Sequence, residues 1–443
     1  MLVMLGSRLR RTLVLAAVGA IAAVACAPGA SNNNPSTSAK GGSVTVIGTW
    51  SGSELDSFNA VVKPFTDQTG TTVNFEGARD QDAILSTRVA AGNPPDLAAA
   101  PGPTLLNRFA AQGKVIDLGK VLDTGQLAKD YSKSWIDLGT ANGKLVEVFS
   151  WAALKGLIWY DPKVWTAKGY QVPKTWAEMI TLQNKMKADG TTPWCMAVES
   201  GGDSGWAGSD FHKEIALSAA GPSVYDKWWA GKQKWTSPEI KATWTDFGQV
   251  LGPGTSNVYG GANYVNNTYF GEVGNHMFTT PPGCYMLNQA SFITDFFVKA
   301  NPALKPGPTG DFNFFPLPDI NTKYAGAHVV SADAWSMFKD TPQSRALIKY
   351  LVTPEAQAIW VKRGGKLSPN NRVALSDYPD DQTRSIVKLL LETKIGRYDA
   401  GDLMPSDMKH AYWTGILDFI RDPTKIDTIL ANLDKVQASA YTS

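Results

Sequence analysis

The chain has 443 residues, of which 43% are hydrophobic and 19% charged, with 42 lysines and arginines against 40 aspartates and glutamates. This near-balance gives no basic stripe of the kind that nucleic-acid binding requires, and the apolar content excludes wholesale disorder. The length predicts two or three domains, and three cysteines with four histidines leave little material for a metal site, so no cofactor is expected.

The N-terminus has the features of a bacterial export signal. Three arginines precede an apolar run over residues 12–24, which is too short to span a bilayer comfortably. Residues 23–26 (AVAC) resemble a lipobox, although leucine is usual where Ala23 stands. We expect a lipoprotein signal peptide over residues 1–25 and a lipid on Cys26. The alternative is a soluble export signal with an incidental cysteine.

The next segment is rich in serine, asparagine, proline and glycine. Its composition predicts a flexible tether over residues 26–42.

The two remaining cysteines form an even pair in an exported chain. Cys195 and Cys284 both follow proline-rich turns, and an oxidising compartment favours a disulfide between them. Two buried free thiols are the alternative. Zinc is not expected, because no histidine lies at ligand spacing to either cysteine.

Strand and helix patterns alternate from residue 43 onward. Strands are predicted over residues 43–48, 72–75 and 97–100. Helices are predicted over residues 54–69, 80–91, 103–112, 176–187, 342–351, 354–362, 384–392 and 426–438. The alternation favours an α/β layer with mostly parallel strands.

Eight short segments follow one another in a characteristic order. They are residues 48–54 (GTWSGSE), 76–80 (EGARD), 91–96 (AGNPPD), 157–162 (LIWYDP), 172–176 (VPKTW), 190–195 (GTTPWC), 281–285 (PPGCY) and 367–370 (LSPN). In this order they resemble the carbohydrate-specific solute-binding proteins of ATP-binding-cassette (ABC) importers, near the α-glucoside-binding branch. The two cysteines fall where that branch usually has a disulfide.

The resemblance implies two α/β lobes of the periplasmic-binding-protein type, joined by a hinge with a ligand cleft between them. Hinge crossings are expected near Lys155, Ala325 and Asn370. Lobe 1 would comprise residues 43–155 plus 326–370, and lobe 2 residues 156–325 plus 371–443.

The implied function is capture of an oligosaccharide, a disaccharide or short α-glucoside, by hinge closure and its delivery to permease subunits. The protein would be a monomer held at the outer face of the bacterial cytoplasmic membrane by its lipid alone, with no nucleic-acid partner.

Aromatic rings stack on the C–H faces of sugars, while charged and amide groups bind the hydroxyls. Trp206 lies in a glycine-rich loop that can present its indole to a ligand, and Asp210 follows it. For Asp210 the alternative is a position at the start of the following helix. Trp151 and Lys155 precede the first expected crossing. They are candidates for the cleft, with a core position as the alternative.

Acidic and basic residues in lobe 1 are further candidates. Arg79 and Asp80 follow the second strand, at the carboxyl end where α/β sheets bind ligands; a surface ion pair is the alternative. Glu54 begins a helix, where an acid is also favoured by the helix dipole. Trp50, next to it, is equally compatible with core and cleft.

The last candidates come from two later segments. Asp333 and Trp335 follow the returning crossing, although residues 329–332 (VVSA) replace the glycine-rich stretch that the family often has before this aspartate. Arg363 and Gly364 could offer groups to hydroxyls, since glycine permits close approach; a helix C-cap is the alternative.

Two other classes of function remain open at this point. A glycosidase would also need an aromatic cleft with two carboxylates, but the family resemblance carries no catalysis, and we therefore expect a binder rather than an enzyme. A cell-surface lectin would also bind a sugar but would not work with an importer.

Overall fold

Two β-sheets organise the residues described by the computed structural model, which are 40–78 and 80–441. The predicted signal peptide, Cys26, most of the predicted tether and Arg79 lie outside these residues. Within them, no helix is long and apolar enough to cross a membrane.

The strands are defined here in chain order. They are β1 (Ser43–Gly48), β2 (Thr72–Gly77), β3 (Leu97–Ala100), β4 (Thr140–Ala141), β5 (Lys144–Leu145), β6 (Val148–Leu154), β7 (Leu157–Tyr160), β8 (Trp194–Cys195), β9 (Met286–Asn288), β10 (Asn313–Pro316), β11 (Ala327–Met337) and β12 (Ile395–Tyr398).

The α-helices are numbered in the same way. They are α1 (Ser53–Thr69), α2 (Gln81–Ala90), α3 (Pro103–Ala111), α4 (Thr124–Asp130), α5 (Lys133–Leu138), α6 (Pro162–Lys168), α7 (Trp176–Ala188), α8 (Trp206–Ala220), α9 (Pro222–Trp229), α10 (Pro238–Leu251), α11 (Gly261–Asn267), α12 (Ile293–Ala300), α13 (Pro342–Leu351), α14 (Pro354–Val361), α15 (Asp381–Glu392), α16 (Ala400–Leu403), α17 (Ser406–Arg421) and α18 (Ile426–Ala440).

The larger sheet has the order β12-β11-β3-β1-β2, with β6 also paired to β11. β1 runs parallel to β2 and β3, whereas β11 runs antiparallel to β3 and β6. The predicted strands at 43–48 and 97–100 are confirmed with these bounds. Gly70 ends α1 with φ at 68°, a left-handed conformation that glycine adopts readily, and the chain then turns into β2.

The smaller sheet has the order β10-β7-β9-β8. Cys195 at the end of β8 and Cys284 just before β9 are joined in a disulfide, with their Cα atoms 5.3 Å apart. Helices α8, α10, α17 and α18 bury a common apolar core that includes Trp228, Trp235 and Trp244.

These sheets form the cores of two α/β lobes. The chain passes from β6 to β7 across residues 155–156, and returns from β10 to β11 across residues 317–326. Hinge crossings were expected near Lys155 and Ala325, and they remain a prediction. β12 is an edge strand of the larger sheet, although residues after 370 were expected in lobe 2. The lobe boundaries by residue therefore remain a prediction.

Candidate functional site

A cavity is lined by residues from both lobes, and its empty space together with the adjoining open solvent is about 790 Å³. From the larger sheet come residues that directly follow β1 and β3, including Thr49, Trp50 and Pro101. The carboxyl ends of parallel strands are the usual place for ligands in α/β sheets, because the loops there face the cleft. The passages between the sheets and the helices of the smaller-sheet lobe complete the wall.

Four buried charges form one group in this wall. Lys155 Nζ lies 2.6 Å from Asp210 Oδ2, and Lys213 Nζ lies 2.9 Å from Asp210 Oδ1. Lys213 Nζ also donates to Asp399 Oδ2 at 2.6 Å. Although burial favours the neutral acid, the two lysines lower the pKa of Asp399. Burial raises the pKa of Asp210, and the same two lysines oppose that shift. The group thus places two lysines against two aspartates inside the protein.

A second charged group lies around Lys366. Its Nζ is 3.3 Å from Asp333 Oδ2 and 3.5 Å from Glu54 Oε1, and all three side chains are buried. Burial raises the pKa of Asp333 to about 6, and Lys366 opposes that shift. Two acids thus share one lysine in the cavity wall, and carboxylates are hydrogen-bond acceptors.

Aromatic side chains complete the cavity. Trp206, the first residue of α8, is half-buried, with its ring centroid 4.7 Å from that of Phe270 and 6.0 Å from that of Phe292. Lys155 Nζ lies 5.4 Å from the Trp206 ring centre. Trp413 is 6% exposed, and its indole Nε1 is buried without a hydrogen-bond partner among the described residues. This N–H is a donor for which a bound molecule could supply the acceptor.

Several predicted site residues meet at this cavity. They are Glu54, Trp151, Lys155, Trp206, Asp210 and Asp333. Trp151 has φ of 51°, a left-handed conformation that is costly for a bulky residue. The rings of Trp50 and Trp360 pack against it, with centroids 5.6 and 4.8 Å away. Trp50 is both buried and part of the cavity wall, so both interpretations of it hold.

The structure does not bring the other predicted residues to this cavity. Asp80 is exposed at the start of α2. Trp335 is buried in the core and donates its indole N–H to Ser150 Oγ at 2.7 Å. Arg363 donates to Ser57 Oγ at 2.9 Å, and it lines a neighbouring groove together with Gly364. Arg79 lies outside the described residues.

Sequence reasoning missed much of the charged wall. The missed charged residues are Asp203, Lys213, Lys366, Asp399 and Asp402, and Trp413 was missed as well. Lys213 carried a usable signal, because it lies three residues after Asp210 on the same helix. In the described ranges, no group of three or more histidine, cysteine or acidic residues could hold a metal ion.

Two α/β lobes with a polar and aromatic cavity between them define a solute-binding protein of the periplasmic type. The chain belongs to the bacterial extracellular solute-binding protein family, whose sequence pattern matches residues 51–358. It is therefore a binding protein and not an enzyme.

Comparisons with known proteins agree with this assignment. The chain is 34% identical to the osmoprotective compounds-binding protein GgtB of Synechocystis over 85% of its length and 88% of that protein's. It is 33% identical to the alpha-glucosides-binding periplasmic protein AglE of Rhizobium meliloti, over 88% of this chain and 85% of that protein.

Solved structures show the same fold. The bacterial solute receptor AcbH is 20% identical and superposes with a TM-score of 0.78. The match covers 90% of this chain and 99% of AcbH. The binding protein RafE in complex with raffinose, 17% identical, gives a TM-score of 0.72 over 90% and 99% of the two chains.

Proposed function

We propose that this protein is the sugar-binding component of an ABC importer, and that it takes a disaccharide or short α-glucoside. The observation that carries the proposal is the cavity itself. It combines an indole that can stack, two groups of buried charges and the buried indole N–H of Trp413, which has no partner among the described residues. Relatives that are named for binding α-glucosides and osmoprotective compounds support the same class of ligand.

The charges of the cavity fit a neutral, hydroxyl-rich ligand. The acidic residues in its wall, which are Glu54, Asp203, Asp210, Asp333, Asp399 and Asp402, outnumber the lysines Lys155, Lys213 and Lys366. Carboxylates accept hydrogen bonds from sugar hydroxyls, and bonds to a charged acceptor are the stronger ones. Burial raises the pKa of Asp402 to about 7, so this acid is only partly ionised at neutral pH. The other acidic residues still outnumber the lysines, and they would repel uronic acids and sugar phosphates.

Capture would proceed by closure of the two lobes around the sugar. Glu54 and Trp50 lie on one side of the cavity, whereas Trp206 and Trp413 lie on the other. A sugar that contacts both sides stabilises the closed arrangement by its extra contacts there.

Replacing Trp206 with alanine tests this proposal. The loss of a stacked ring should weaken binding by about 1–3 kcal/mol, which is several-fold to about a hundredfold in affinity. Isothermal titration calorimetry with trehalose, sucrose and maltose measures the effect. Trp229, a half-buried tryptophan packed elsewhere on the same lobe, is the matched control. Normal affinity in Trp206→Ala would contradict the placement of the site.

Delivery and anchoring are parts of the same proposal. The lipobox-like residues 23–26 support a lipid on Cys26. This lipid would hold the protein, as a monomer, at the outer face of the cytoplasmic membrane beside its permease. Cys26→Ala should move the protein from the membrane fraction to the soluble exported fraction. Unchanged partitioning would refute the lipid anchor, but it would not contradict the proposal of sugar binding.

A further inference from the structure

A second groove opens beside the cavity, and the proposed function does not use it. Half-buried aromatic rings of Tyr264, Tyr269 and Phe296 line it together with Asn275 and Glu272. Residues 51–53, at the start of α1, form its opposite side. The groove is therefore bounded by both lobes, as the cavity is.

The groove and the cavity are built from neighbouring residues of the same segments. Trp50 and Glu54 line the cavity, whereas residues 51–53 between them line the groove. On the other side, Phe270 lines the cavity and Tyr269 the groove, with ring centroids 4.5 Å apart. Ring contacts thus run from Trp206, through the buried Phe270, to Tyr269.

The side chains of the groove suit a sugar better than a purely apolar ligand. Tyr264 and His276 share a hydrogen bond of 2.7 Å between the hydroxyl and Nε2, and burial lowers the pKa of His276. His276 is therefore neutral at pH 7. Glu272 and Asn275 offer polar groups at the rim, close to ring faces that could carry a pyranose.

We propose that this groove is a second carbohydrate subsite, which takes the outer units of an oligosaccharide whose first units occupy the cavity. This inference rests on the proposed function and deepens it. The cavity would hold a disaccharide, and a third or fourth sugar unit would extend between residues 51–53 and Tyr269. The protein would then accept short oligosaccharides rather than disaccharides alone.

Two series of sugars test the subsite by chain length. Maltose, maltotriose and maltotetraose form one series, and sucrose, raffinose and stachyose the other. In the wild type, calorimetry should show tighter binding of the longer members of one series than of its disaccharide. Tyr269→Ala should remove most of that gain, a loss of about tenfold for the longer sugars, and leave the disaccharide unchanged within about twofold.

Two further variants keep the test falsifiable. Asn275→Ala changes a polar residue of the same groove, and it should reduce the same gain if Tyr269→Ala folds poorly. Tyr324→Ala removes a half-buried tyrosine outside both the groove and the cavity, and it should change nothing.

The outcomes separate the two proposals. If disaccharides bind but lengthening brings no gain, or if Tyr269→Ala and Asn275→Ala keep the gain, the subsite is overturned and the central site stands. If the wild type binds no sugar in either series, both proposals fall.

Discussion

Trp413 carries the sharpest residue-scale prediction, because its buried N–H has no partner among the described residues although it belongs to the cavity wall. A sugar hydroxyl would satisfy it. Trp413→Phe keeps an aromatic ring but removes the donor, so binding should weaken by roughly 1 kcal/mol or more, about fivefold or more. Calorimetry with the best-bound sugar measures this, and unchanged affinity would exclude a hydrogen bond from Trp413 to the ligand.

Trp244→Phe is the matched control for this change. Its indole Nε1 is also buried and unpartnered, but Trp244 packs in the core and lines no part of the cavity. Both variants lose the same atoms, and differential scanning fluorimetry should record comparable losses of packing. Only Trp413→Phe should lose affinity.

Asp295 provides a prediction about pH. Its Oδ2 atom is buried, beside Gly365, and burial together with the charge of Glu54 raises its pKa to about 8. Lys366 and Arg363 oppose this shift without cancelling it. Asp295 is thus mostly neutral at pH 7.

The direction in which stability changes with pH follows from the linkage between proton binding and folding. Because the folded state holds this proton more tightly than the unfolded chain, the stability from Asp295 is fully present below about pH 4 and is lost as pH rises through the folded pKa. The free energy of unfolding should fall by at most about 1.4 kcal/mol per pH unit from this group. Urea denaturation between about pH 5 and pH 9 should show that Asp295→Asn removes part of the slope.

An exposed acid serves as the control for the pH series. Asp137 pairs with Lys133 on the surface, and Asp137→Asn should leave the slope unchanged. If Asp295→Asn behaved like Asp137→Asn, the pKa of Asp295 would not be raised.

At the scale of elements, the disulfide joins β8 to the segment that enters β9. It closes a loop of 89 residues, and the chain-entropy account of such a loop gives about 4–5 kcal/mol of stability. A double variant, Cys195→Ala with Cys284→Ala, should lose stability of this order in urea denaturation. Wild-type protein in reductant should approach the variant, and equal midpoints in oxidised wild type and variant would refute the crosslink.

Elements with a strong local pattern were predictable from the sequence. The residues Leu55, Phe58, Val61, Val62 and Phe65 predicted a helix over 54–69, and α1 occupies Ser53–Thr69. Helix α8 gave no such pattern, because most of its residues are buried, including Asp210, Lys213 and Glu214. Its polar residues face buried partners such as Lys155 and Asp399, and a single sequence does not reveal those partners.

The candidate site also contains residues that could not be predicted from the sequence. Trp206 and Asp210 were predictable, because a glycine-rich loop marks the start of α8. Lys366 and Asp399 were not, because they come from segments far apart in the sequence. Lys366 precedes Leu367, which bridges to Ala152 of β6, and Asp399 directly follows β12, which pairs with β11.

At the scale of the whole molecule, contacts outside the sugar cavity join the two lobes. Asp82 on α2 accepts a hydrogen bond from Ser406 Oγ on α17 at 2.6 Å, and Lys409 Nζ lies 3.6 Å away. Helix α2 packs beside β1, whereas α17 packs against α8. Although burial opposes ionisation, Lys409 and the hydrogen bond from Ser406 lower the pKa of Asp82, so the carboxylate is charged at neutral pH.

We expect this pairing to form when the lobes close and to stabilise the closed form without contacting the ligand, since Asp82 does not line the cavity. Asp82→Ala should therefore weaken sugar binding about three- to tenfold, which corresponds to roughly 1 kcal/mol of lost stabilisation of closure. Asp67→Ala, which removes an exposed pairing with Lys63 on α1, should not. Small-angle X-ray scattering with saturating sugar should still show a compact Asp82→Ala protein, because enough ligand restores closure. If Asp82→Ala bound sugar as tightly as the wild type, the contact between α2 and α17 would play no part in capture.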